Sequence, residues 1–168
     1  MTMSMHAAFA PIAKTLLGAL SDVLQKGADF AAAKKVEPSV LIGSRLAPDM
    51  LPLSKQVQIA TDMARGGAAR LAGKEVPSVP DTETTFDELK KRIADTIAYI
   101  DSIPASAIDG SENKDIVLKM RAGDMTFTGQ RYLMGFVIPN LTFHCATAYN
   151  ILRHNGVEIG KRDFLGGF

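Results

Sequence analysis

The sequence predicts an all-α fold: a four-helix bundle with a short β-hairpin between the third and fourth helices. Three observations carry this. Four long segments repeat apolar residues at spacings of three and four, the period of one helix face. Clusters of proline and glycine separate those segments. The chain has 168 residues, 46% of them hydrophobic, which is the size of one domain with one substantial core. Residues 1–168 therefore read as a single helical-bundle domain.

The first helix is expected over about Ser4 to Ala33, with Phe9, Ile12, Leu16, Leu20, Val23 and Leu24 on one face. Pro11 should mark an early turn or kink, because proline has no backbone donor. The apolar start lacks a basic leader and is interrupted by Lys14, so it reads as a helix and not as a signal peptide. Residues Lys34 to Pro52 form a connection punctuated by Pro38, Gly43, Pro48 and Pro52, with room for a short helix within Ser39 to Leu46.

The second helix is expected over about Leu53 to Ala72, with a stripe of Leu53, Val57, Ala60, Ala64 and Leu71. Gly66 and Gly67 each weaken it by roughly 1 kcal/mol relative to alanine, and close approach of a neighbouring helix would explain them. Gly73 supplies the stop. A proline-containing loop, Lys74 to Glu83, leads to a capping box in which Thr85 and Glu88 satisfy each other's backbone amides. Phe86, Leu89, Ile93, Ile97 and Ile100 then repeat at helical spacing until Pro104. Ile116-Val117-Leu118 and Met125-Thr126-Phe127-Thr128 flank a turn at Ala122-Gly123-Asp124, a hairpin signature. The fourth helix is expected over about Gln130 to His154, with Leu133, Val137, His144, Ala148 and Ile151 in one stripe. Pro139 should kink it. In the tail, Phe164, Leu165 and Phe168 should pack back on the bundle.

Charge and composition exclude several function classes. Nineteen basic residues face eighteen acidic ones, a net charge of +1, which gives no general pull toward nucleic acid or anionic membrane. No run of eighteen apolar residues is present, so no membrane span is expected. The lone cysteine, Cys145, excludes an intramolecular disulfide. A reducing, cytoplasmic location fits, although a cysteine-poor exported protein would look the same.

The chemistry-bearing residues are few. Of the three histidines, His6 reads as a surface residue and His154 as a solvated residue of a helix C-terminus. His144 lies in the apolar stripe and should face the bundle interior. Two readings stay open for it: a buried neutral imidazole, hydrogen-bonded to Asn140 or to another helix, or a metal ligand or acid–base group. His144 and His154 are about 15 Å apart along a helix axis and cannot share an ion within one chain. Cys145 points about 100° away from His144, so the two do not form a dyad.

A resemblance adds to this reading. The run Phe143 to Gly156, continued by Val157 to Gly166, together with Leu46-Ala47-Pro48-Asp49-Met50, Ala68 to Gly73 and Phe127-Thr128-Gly129, resembles a bacterial family, the domain of unknown function 1993. That family is similar to the DinB/YfiT-like superfamily of four-helix metalloenzymes, often dimeric. The resemblance implies a site in which three histidines hold zinc or nickel, one from the second helix and two from the fourth, spaced four apart. A leucine-arginine pair and a glycine follow at fixed distance; here they are Leu152-Arg153 and Gly156. Counting back places His144 on the second of the fourth-helix ligands and Asn140 on the first. Neutral asparagine is a poor transition-metal ligand. The second helix holds no histidine; Gln56 and Thr61 lie nearest its stripe, and Asp62 lies roughly opposite.

The expectation is therefore a DinB-like bundle with a degenerate metal site that binds a small molecule or a protein and needs no cofactor. His144, Asn140, Gln56 and Thr61 are the pocket candidates and His144 is the one candidate ligand for a divalent metal. The alternative is a metal-dependent transferase or hydrolase centred on His144. A homodimer is expected from the resemblance and from Tyr132, Phe143, Phe164 and Phe168, which one bundle need not cover.

Overall fold

The computed structural model of the chain describes residues 3–119 and 123–167. Ala122 of the expected turn and Phe168 of the expected tail packing lie outside the described residues.

Helix α1 spans Met5–Lys34. The Ser4 hydroxyl accepts from the Ala7 amide at 3.3 Å and caps it. The helix runs through Pro11 instead of turning there; the ring removes only the hydrogen bond that residue 11 would give to residue 7. Its buried face is Phe9, Ala13, Leu17, Leu20 and Leu24, which leaves Ile12, expected on that face, 41% exposed. By length and mean hydropathy α1 could cross a membrane, and 44% of its most apolar window is buried inside the bundle.

A short helix α2, Pro38–Ile42, lies in the connection. Helix α3, Leu53–Leu71, buries its whole expected stripe of Leu53, Val57, Ala60, Ala64 and Leu71. Helix α4, Phe86–Asp101, opens on the capping box: Thr85 Oγ1 accepts from the Glu88 amide at 3.2 Å, and the Glu88 carboxylate accepts from the Thr85 amide at 3.0 Å. After Pro104 comes a one-turn helix, α5, Ala105–Ile108, which the sequence pattern does not announce. Asp109 behind it accepts from the His6 amide at 2.8 Å and ties α5 to the start of α1.

The hairpin is present as β1, Asp115–Leu118, antiparallel to β2, Met125–Thr128, with Ile116 opposite Phe127. Ile116 and Leu118 face the bundle. Gly129, at the exit, passes so close to the Ser111 carbonyl that a Cβ there would collide with it.

The fourth long helix is continuous but not regular. Helix α6, Gly129–Tyr132, passes into a π-helical stretch, Leu133–Val137, and then into α7, Ile138–His154. The expected kink at Pro139 takes this form: a wide turn before the proline, with the Ile138 amide reaching back five residues to the Leu133 carbonyl. The extra residue rotates everything after it by about 100°. The buried face of α7 is Leu141, Cys145, Ala148, Ile151 and Leu152, so of the expected stripe Leu133, Val137, Ala148 and Ile151 are buried and His144 is the exception. His144 sits on the flank of that buried face and is only half-buried, not central as expected.

The four long helices form a ring in which α1 and α3 each neighbour both α4 and α7. The tail returns as α8, Lys161–Phe164. Asp163 binds Lys26 of α1 at 2.6 Å, and the Phe164 ring packs edge-on against Tyr149 at 5.9 Å. Tyr132, expected at an uncovered surface, is 1% exposed; its ring stacks on Phe136 at 5.8 Å and its hydroxyl accepts from Arg70 at 3.0 Å.

Candidate functional site

Helices α3 and α7 bring two of the four pocket candidates together. His144 Nδ1 lies 2.7 Å from Gln56 Oε1. Gln56 is 2% exposed, and its Nε2 donates to the Leu51 carbonyl at 3.0 Å. That second bond fixes the carboxamide: nitrogen toward Leu51, oxygen toward the ring. A carboxamide oxygen only accepts, so Nδ1 must carry the proton. Burial pushes the imidazole below its usual pKa and favours the neutral ring. Nε2 is then a lone-pair acceptor, and it is not among the buried atoms left unpaired in the described residues. Phe143, 56% exposed, stands edge-on to the imidazole at 5.2 Å.

The other two candidates go elsewhere. Asn140 does not pair with His144; its Nδ2 donates to the Phe136 carbonyl at 2.7 Å. The bond runs back one turn along its own helix, to the last turn of the π-helical stretch. Thr61 is fully buried but belongs to a different network. It donates to the Gln58 carbonyl at 2.7 Å and accepts from Arg92 Nε at 2.8 Å.

That network is what sequence reasoning missed. Arg92 of α4 is 3% exposed. Its Nη1 donates to Glu83 at 2.9 Å and to the Pro80 carbonyl at 3.0 Å, and its Nη2 reaches Asp62 at 2.8 Å and Asp81 at 3.0 Å. With Thr61, these partners use all five guanidinium N–H groups. Burial works to raise the pKa of Glu83 and of Asp81, yet the hydrogen bonds from Arg92 and Gln58, and from Lys55 and Arg92, hold both below the usual carboxylate range. Asp62 is raised, because there burial prevails over Arg92 and Arg65. The signal was present: Leu89, Ile93, Thr96 and Ile100 define the inner face of α4, and Arg92 falls on it.

The residues do not make the metal site that the resemblance implies. His144 offers one imidazole nitrogen, Gln56 has its oxygen on Nδ1, and Asn140 is tied to backbone. Among the described residues no three His, Cys, Asp or Glu side chains stand together as a metal would need. Cys145 provides no nucleophile either: it is 2% exposed, and burial pushes its thiol up to about 12.

Comparison with known proteins agrees with the fold. A crystal structure of a DinB family member protein from Shewanella denitrificans is 38% identical, with a TM-score of 0.88 over 97% of this chain and 92% of that one. No protein of curated function matches. The model of the family described as domain of unknown function (DUF1993) matches residues 5–165. With nearly its whole length matched and its bundle that of a DinB family protein, the chain belongs to the DUF1993 family.

Proposed function

We propose that this DinB-like protein is a small-molecule-binding bundle in which a neutral His144–Gln56 pair stands where a metal centre would be. The observation that supports this is the fixed orientation of Gln56, which leaves His144 Nε2 as an acceptor beside the exposed Phe143 ring. Such a pair suits a ligand with one O–H or N–H donor and an apolar or aromatic body: the donor meets Nε2 and the body covers Phe143. A second copy of the chain extends this reading. Phe143, Ile12 and Leu165 are exposed, and an apolar groove of about 380 Å³ runs between α1 and the α7–α8 end. A dimeric mass by light scattering is the expected result there.

Elemental analysis and NMR of ¹⁵N-labelled protein test the site together. Purified protein should be free of stoichiometric transition metal, and the His144 ring should show the Nδ1–H tautomer. Phenol, with one O–H and one ring, should shift the His144 Nε2 resonance saturably. Stoichiometric zinc or nickel that is lost in His144→Ala would overturn the reading in favour of a metal-dependent transferase or hydrolase. An Nδ1 without its proton, or no saturable response to phenol, would overturn it too.

A further inference from the structure

On α3, Arg65 lies nine residues beyond Gln56, which at about 100° per residue places it on the opposite side of the helix. It faces a separate cavity of about 220 Å³ between α3, α4 and the loop that precedes α4. Arg65 is 5% exposed and lines this cavity. Its guanidinium binds Asp62, but its Nε is buried with no hydrogen-bond partner. A buried guanidinium donor left unpaired is costly, and nearly all such groups in folded proteins are satisfied by protein, water or ligand.

The cavity's other charges are already engaged. Arg92 has used its five donors. Lys91 binds Asp95 at 2.6 Å, and Glu88 accepts from the amides of Thr84 and Thr85. Glu83 holds Arg92 and Gln58. Lys91 keeps two further donors, but it is an exposed side chain at the rim; Arg65 is the buried lining cation with an unpaired donor. The lining carries three cations, Arg65, Lys91 and Arg92, and three anions, Glu83, Glu88 and Asp95. A divalent cation would meet two buried guanidiniums, and a phosphate dianion would meet three carboxylates. A ligand with one charge of each sign matches both halves of the lining.

We propose that this pocket binds a small zwitterion of the amino-acid class, its carboxylate on Arg65 and its ammonium toward Glu83, Glu88 and Asp95. The carboxylate supplies the acceptor that the Arg65 guanidinium lacks. Asp95 accepts one bond, Glu83 accepts one on each oxygen, and the bonds to Glu88 all fall on Oε2, so each carboxylate keeps a lone pair for an ammonium. The volume of about 220 Å³ admits a free amino acid.

Glycine is the probe, with acetate and methylammonium as its two halves, and the readout is the Arg65 Nε–H resonance of ¹⁵N-arginine-labelled protein. Glycine should shift that resonance saturably, and each half alone should bind at least about tenfold more weakly. Arg65→Met removes the partner. Thr82→Trp, at an exposed lining position, fills the mouth and leaves the ion network intact. In Thr82→Trp the glycine response should vanish while the Arg65 resonance persists, and glycine should not protect Arg65→Met against thermal unfolding as it does the parent. No saturable shift with glycine, a response that survives in Thr82→Trp, or acetate binding as tightly as glycine would each overturn the proposal.

Discussion

Arg92 shows how one residue can hold two elements and a loop. Its side chain is 2% exposed and neutralises carboxylates from α3 and from the loop before α4. Arg92→Met preserves the volume but leaves Asp62, Asp81 and Glu83 without their common partner. Breaking a fully buried ion pair from one side costs about 3–5 kcal/mol. The Asp62 and Asp81 side chains are 41% and 37% exposed and that of Glu83 10%, so solvent screens part of this and urea unfolding should show a loss of about 1–3 kcal/mol. A loss below about 1 kcal/mol would mean that the network behaves as a solvated surface one. At Cys145 the expectation is kinetic. A thiol pushed up to about 12 and 2% exposed should not react with a disulfide reagent in the folded protein and should react at once in denaturant. The two residues also differ in how legible they were. Cys145 reads correctly from its place in an apolar helix. Arg92 does not, because an arginine beside an apolar stripe reads as a solvated flank until Asp81 and Glu83 arrive from the loop.

At the scale of elements, local chemistry was legible and coupling between helices was not. The capping box at Thr85 and Glu88 involves residues three apart and is written in the sequence. The π-helical stretch is not: Pro139 signals a disturbance, but whether the helix bends or widens depends on what Leu133 and Val137 pack against. That choice moved His144 off the core stripe, although Asn140 stays one turn before it on the same helix. Gly67 lies at the same junction. A Cβ there would stand 2.8 Å from Val137 Cγ1 and 3.4 Å from Phe9 Cε2. Two effects oppose each other in Gly67→Ala: helix propensity favours alanine by about 1 kcal/mol, and overpacking costs about 1–3 kcal/mol. The clash should win in the parent and give a net loss. In a Val137→Ala background the clash is gone and propensity remains, so the same substitution should become neutral or stabilising. Denaturation of the four proteins in this cycle measures the coupling; additive effects would show that α3 and the π-helical stretch do not constrain each other.

The whole molecule should report its two polar sites separately in the pH dependence of its stability. At the Gln56 site, burial holds His144 below the ordinary imidazole value of about 6.5. A base with a depressed folded pKa binds fewer protons when folded than when unfolded. Its contribution is present above about pH 6.5 and is lost as pH falls toward the folded value. At the Arg92 site, Asp81 and Glu83 are held low. Their contribution is present above the ordinary carboxylate range, near pH 4, and is lost as pH falls below it. Asp62, raised by burial, runs the other way and softens this second decline. The urea midpoint should therefore fall in two stages, one below about pH 6.5 and a steeper one below about pH 4. His144→Gln keeps a polar group beside Gln56 and removes the titrating ring, so it should flatten the first stage and leave the second unchanged. Arg92→Met should do the reverse, since without the arginine the carboxylates lose the interaction that depresses them. If both variants weakened both stages, the two faces of α3 would have to share one network. Their placement half a turn apart on that helix, with separate hydrogen-bond partners, predicts that they do not.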